Sequence, residues 1–193
     1  MQHADAKTVL GNFNNVDFTY NGITSTFTQR DGNYFVRTDG PDGKLTEFKI
    51  GYTFGLDPMQ QYLIEFPDGR MQALSIAWDS RAADQGGQRW FHLYPNEKID
   101  FADELHWTKR TQNWNYMCAD CHSTDVKKNY DEASNTYKTT WKEITVGCEA
   151  CHGPGSVHIN EAKIAGEDYS GGNLTAQFIE RNSVAWAINP VTG

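Results

Sequence analysis

All four cysteines of this 193-residue chain fall in two copies of one short pattern, Cys118-Ala119-Asp120-Cys121-His122 and Cys148-Glu149-Ala150-Cys151-His152, with 25 residues between the copies. No feature limits the fold more. Cys-x-x-Cys-His is the attachment pattern of c-type haem: two thiols bond one macrocycle and the adjoining histidine ligates its iron. Both bonds and the ligand act on one rigid plate, so the spacing has little freedom. Cys118, Cys121, Cys148 and Cys151 are therefore candidate thioether positions for two haems c. His122 and His152 are the candidate proximal iron ligands. The same four cysteines also have the paired form of a four-cysteine structural zinc site, although 26 residues between the pairs exceed the usual range. Two disulfides are a further alternative, which would leave both motif histidines as coincidences.

The rest of the composition narrows the function classes. The formal charge is -8, and the basic residues form only short pairs such as Lys109-Arg110 and Lys127-Lys128. A nucleic-acid-binding stripe is excluded on that basis. Nor does any apolar run approach the roughly 18 residues of a membrane span. The first residues lack the basic and apolar regions of a secretory leader. Covalent haem attachment takes place outside the cytoplasmic membrane, so a periplasmic or otherwise exported protein is expected, either trimmed of its leader or cut from a longer chain.

The expected fold class is α+β. Val16, Phe18 and Tyr20 alternate with polar residues, as do Phe48, Ile50, Tyr52 and Phe54, then Tyr62, Ile64 and Phe66, then Gln72, Leu74, Ile76 and Trp78. Period-two patterns of this kind mark half-buried strands. Between them lie Asp31-Gly32, Asp39 to Gly43 and Asp68-Gly69, all with hairpin turn chemistry. Successive strands with short turns predict an antiparallel, barrel- or sandwich-like sheet over residues 1–100. Residues 101–170 are expected to form a helical and irregular two-haem region. Within it, Thr111 to His122 reads as a short helix, and a β-hairpin around Asp131 to Asn135 joins the motifs. Ser156 reads as the cap of a helix stopping at Gly166, with Val157, Glu161 and Ile164 at helical spacing. Residues 171–193 form a C-terminal extension.

Each iron needs a sixth ligand or an open position, and the spare histidines supply candidates. His158 lies six residues past His152; His106 stands between Leu105 and Trp107; His92 sits at an aromatic strand end. The alternative for His92 is a packed core histidine, and His3, near a terminus, reads as exposed.

Two stretches carry a resemblance to a known family. Asn113 to Thr124 and Val146 to His158 resemble the multihaem cytochromes c related to the tetrahaem cytochrome of ammonia-oxidising bacteria. Tyr52 to Gly55, Gln60 to Leu63 and Gly86 to Pro95 resemble a branch of that family often fused to tetratricopeptide repeats. The resemblance spans roughly residues 8 to 190. It implies further Cys-x-x-Cys-His sites before and after this stretch, so the chain reads as an internal fragment. It also implies that His158 ligates a neighbouring haem rather than the one at His152. The expected function is electron transfer by a two-haem module, with redox proteins or neighbouring haem domains of a longer polypeptide as partners. The enzymatic alternative is part of a multihaem oxidoreductase acting on small nitrogen or sulfur compounds, which requires an open-coordinate haem.

Overall fold

The computed structural model describes residues 1–152 and 155–166. The expected extension 171–193 lies outside the described residues, as do Gly153 and Pro154 of the turn after the second motif. The chain divides into two compact units, Met1–Thr145 and Val146–Gly193.

In the first unit, alternation and turn chemistry produce an antiparallel sheet that curls nearly into a barrel. Its strands are β1 (Gln2–His3), β2 (Asn14–Tyr20), β3 (Ile23–Arg30), β4 (Asn33–Asp39), β5 (Leu45–Phe54), β6 (Met59–Glu65), β7 (Met71–Ala73), β8 (Ile76–Asp79) and β9 (Arg89–His92). Their order is β2-β3-β4-β5-β6-β8-β9, with β1 added to β5 and β7 to β6. Asp31 and Gly32 both adopt positive φ, 51° and 72°, the conformation a two-residue β3–β4 hairpin requires. The register of β5 shifts between Ile50 and Tyr52. Leu45 to Lys49 of β5 pair with β4, β6 pairs from Ile50 onward, and β1 pairs with Tyr52 and Thr53. The run from Gln72 to Trp78 is split into two strands at Leu74-Ser75, so one expected strand is in fact two.

The curl brings β2 and β9, the two ends of that order, together, and Tyr20 of β2 stacks on His92 of β9. Phe27 of β3 stacks on Trp90 of β9 with ring centroids 3.7 Å apart and planes 10° from parallel. Phe13, Val36, Ile50, Tyr62, Ile64, Leu74, Trp78 and Trp107 complete this interior. A second apolar cluster, Tyr52, Leu63, Met71, Ala73, Trp114 and Ala119, contains residues of the first motif segment. Tyr62 and Ile64 face one cluster while Leu63 between them faces the other, because successive strand residues point to opposite sides. The middle of β6 is therefore buried on both faces.

Beyond the sheet come a single 3-10 turn at Arg110–Gln112, then α1 (Trp114–Met117), α2 (Ala119–His122) and a hairpin of β10 (Tyr130–Asp131) and β11 (Thr136–Tyr137). The hairpin stands where the spacer between the motifs predicts it. The expected continuous helix from Thr111 to His122 is instead broken into turns. Asn113, with extended backbone, caps α1, and Cys118 at φ -118° separates α1 from α2. The second unit contains α3 (Cys148–His152) and α4 (Ser156–Ala165). Gly166 ends α4 with φ 58°, as its sequence position predicts. The N-cap is Gly155 rather than Ser156, which is the first helical residue. Ile164, in the last turn of α4, is 87% exposed.

Candidate functional site

The first motif lies in consecutive helical turns, where residues three apart share a face, so Cys118 and Cys121 lie on the same side. The amide N–H groups of Cys121 and His122 both donate to the Cys118 carbonyl, at 3.2 and 3.1 Å. Asn113 starts the segment by accepting a hydrogen bond from the Tyr116 N–H at 2.8 Å, satisfying a donor the short helix leaves open.

Buried polar side chains bolt this segment onto the sheet. Asn115, fully buried, accepts from the Met71 N–H at 2.7 Å and donates to the Gly69 carbonyl at 3.2 Å and to Thr139 Oγ1 at 2.8 Å. Gln72 Nε2 donates to the carbonyls of Trp107 and Lys109, at 2.8 and 2.9 Å. The hairpin is held to the same turn: the Tyr137 N–H donates to the Asp68 carbonyl at 2.9 Å. Gly69 has φ 79°, and a Cβ there would meet the Tyr137 carbonyl oxygen at 2.0 Å, so only glycine fits. Ser123 and Thr124 donate to the carbonyls of Ile144 and Thr145, fixing the exit of the motif.

What this scaffold presents is a reactive edge over an apolar wall. Cys118 is half-buried and Cys121 exposed, both as free thiols. Burial, followed by the neighbouring Cys121, pushes the Cys118 thiol above its ordinary pKa. The His122 ring is exposed on one side and rests against Phe54 of β5, with centroids 4.5 Å apart at 66°. In the second apolar cluster, Trp141 meets Tyr52 and the fully buried Trp114 edge to face, at 82° and 81°. Trp114 Nε1 is buried without an acceptor among the described residues. Paired thiols, an imidazole and an adjoining apolar cluster suit a covalently held macrocycle, so the residues present fit a haem. Beside them, Lys128 Nζ lies 2.8 Å from Asp120 Oδ2, and Arg110 and Lys128 approach the face of Tyr116 at 4.2 and 5.5 Å.

In the second unit, Cys148 and Cys151 are exposed free thiols on α3, and Glu149 Oε1 accepts from the Gly155 N–H at 3.1 Å. The side chain of His152 lies outside the described residues. His158 is half-buried in the first half of α4.

The other candidate histidines line a cavity among the strands. His106 is buried, with Nε2 3.1 Å from Asp39 Oδ2 and Nδ1 2.8 Å from Thr108 Oγ1. His92 is buried and stacks on Tyr20 at 3.6 Å with planes 3° apart, and its Nδ1 accepts from the Tyr94 N–H at 3.1 Å. His3 is exposed, on β1, with its ring 4.7 Å from Tyr52. Among the described residues, no group of three or more His, Cys, Asp or Glu side chains converges on a metal position. Reading the sequence missed Asn115, Gln72 and Phe54. Asn113, three residues before the amide it caps, carried a visible capping signal, whereas Asn115 and Gln72 carried none.

Comparison with known proteins agrees with this geometry. The model of one family matches residues 83–153, a span that holds both Cys-x-x-Cys-His motifs. That family is cytochrome c554 and c-prime. The match supports a cytochrome c family, and with it haem binding and electron transport, for this part of the chain. No match is found among curated proteins or among solved structures. Among the described residues, no helix is long and apolar enough to cross a membrane.

Proposed function

We propose that the chain is an electron-transfer module of a multihaem c-type cytochrome, holding one haem on Cys118, Cys121 and His122 and a second on Cys148, Cys151 and His152. The carrying observation is the first motif itself. Its two free thiols share one helical face, and its histidine stands against Phe54, which packs on the apolar cluster that holds Tyr52 and Trp114. When bound, each haem supplies an iron that accepts and donates one electron.

The protein's own residues have three tasks in this reading. Cys118 and Cys121 fix the macrocycle's edge to a backbone that Asn115 and Gln72 lock to the sheet. His122 ligates the iron from a position set by that backbone. The apolar cluster around Trp114 limits water at the site, and the dielectric of its surroundings tunes a redox centre. A rigid scaffold suits electron transfer because little has to move when charge changes.

We read His106 and His92 as parts of the cavity rather than distal ligands. Ligation by His106 would break its contacts to Asp39 or Thr108, and His92 is fixed by stacking and by the Tyr94 amide. His158 is our preferred distal ligand, directed to a neighbouring haem. The internal-fragment reading, periplasmic or exported placement, and redox proteins or adjoining haem domains as partners belong to the same proposal. A zinc site built from the four cysteines is not favoured, since it leaves the histidine that follows each pair without a role. Chain matured in a periplasm and assayed as its pyridine haemochrome tests the reading. Two haems per chain are expected, and no haem after competent maturation would overturn it.

A further inference from the structure

A cavity of about 30 Å³ opens among the strands and the segment that leads to the first motif. Ser25, Thr38, Asp39, Ser75, His92 and His106 supply its polar lining. Most of these groups are paired in a chain whose donor directions can be assigned. Thr38 Oγ1 donates to Asp39 Oδ1 at 3.1 Å, so Ser25, whose hydroxyl lies 2.7 Å from Thr38, donates to Thr38. His106 Nε2 donates to Asp39 Oδ2, because an ionised carboxylate only accepts. Burial works to raise the Asp39 pKa, but the His106 hydrogen bond and charge, with the Thr38 hydrogen bond, outweigh it and keep the carboxyl below its ordinary value.

Two groups in this lining are left over. Ser75 is 3% exposed, and its Oγ is buried with no hydrogen-bond partner among the described residues. His92 uses Nδ1 as an acceptor for the Tyr94 amide, which leaves Nε2 carrying the proton. Among the described residues, that Nε2–H has no acceptor, and stacking on Tyr20 prevents the ring from turning to seek one.

We propose that this cavity is a hydration site. It binds two water molecules that accept from His92 Nε2–H, pair with Ser75 Oγ and reach the Asp39–His106 pair. Volume and chemistry decide the ligand. A buried water needs roughly 10–15 Å³ on this measure and two to four polar partners, whereas organic ligands occupy sites of roughly 300–1,000 Å³. Two waters fit; a substrate does not. Asp39 disfavours a small anion, and the absence of a converging ligand set among the described residues disfavours a metal ion. The waters join His92, Asp39 and His106 into one hydrogen-bonded unit beside the loop that enters the first motif.

A crystal structure of the full chain near 1.5 Å tests this directly. Two ordered waters are expected, one within about 3.2 Å of His92 Nε2 and one within the same distance of Ser75 Oγ. A dry cavity, or one filled by a shifted side chain, would overturn the proposal. Ser75→Ala provides a second reading: the water bonded to Ser75 should weaken or vanish while that on His92 persists. Unchanged occupancy at both positions would show that Ser75 is not part of the site. Neither outcome depends on haem content, so failure here leaves the electron-transfer reading untouched.

Discussion

Replacing Asn115 by alanine tests whether the first motif is held by buried polar bonds rather than by local helix propensity. The side chain is fully buried and makes three hydrogen bonds, to Met71, Gly69 and Thr139. Thr139 keeps a partner after the change, because its hydroxyl also donates to the Lys128 carbonyl at 2.9 Å. Met71 and Gly69 lose theirs on the sheet side of the contact. A buried group left without a partner costs roughly 1–3 kcal/mol, so two of them, with partial relaxation, amount to about 3 kcal/mol. For a chain of this size that corresponds to a fall in Tm of roughly 6–12 °C. Asn115→Asp separates the contributions, since it retains the acceptor for the Met71 amide and loses both donors. Thermal unfolding of the matured chain, followed by circular dichroism, should rank wild type above Asn115→Asp and Asn115→Ala. Loss of under about 0.5 kcal/mol in the alanine variant, well short of the cost of one unpaired buried group, would refute the idea that Asn115 clamps the motif to the sheet.

Other perturbations probe different parts of the account. Cys148→Ala should leave one thioether at the second site while the first retains two, read by peptide mapping of the haem-stained protein. Burial lowers the His92 pKa, so the unfolded chain takes up a proton there before the folded one does. Stability should therefore decline as pH falls below about 6.5, and His92→Gln should flatten that decline in urea titrations between about pH 7 and 5. Asp39 behaves in the opposite pH range: its carboxyl is held below the ordinary value, so its contribution is present above about pH 4 and lost on further acidification. Asp39→Asn should remove that acid limb. Asp120→Asn breaks an ion pair to Lys128 in which the carboxylate is 64% exposed, and should change stability by less than about 1 kcal/mol.

The sheet was legible because its strands follow simple alternation and its turns use residues with few alternatives. Phe48 to Phe54 and Asp31-Gly32 announced a strand and a hairpin from local chemistry alone. Two-sided burial of β6 was not legible: Tyr62-Leu63-Ile64 is an apolar run, and only the second apolar cluster, with Trp114 of α1 and Ala119 of α2, makes Leu63 a core residue. The first motif was readable as a bonding pattern, yet its support was not, because Gln72 and Asn115 make their bonds between segments far apart in the chain. Ser156 was misplaced by one position: a serine after Gly155 looks like a cap, but the glycine itself takes that place. His106 and His92 shared the sequence signature of any spare histidine. Their surroundings, Asp39 from β4 and Tyr20 from β2, come from strands far away in sequence and assemble only in the fold.

Intact-mass measurement of denatured chain, after maturation in a periplasm, decides whether the two motifs carry covalent haem. The expected mass is raised by two covalently bound haems, with the two haem-bearing peptides mapping to Cys118–His122 and Cys148–His152. A chain with four free thiols, or with disulfides in place of haem, would contradict it.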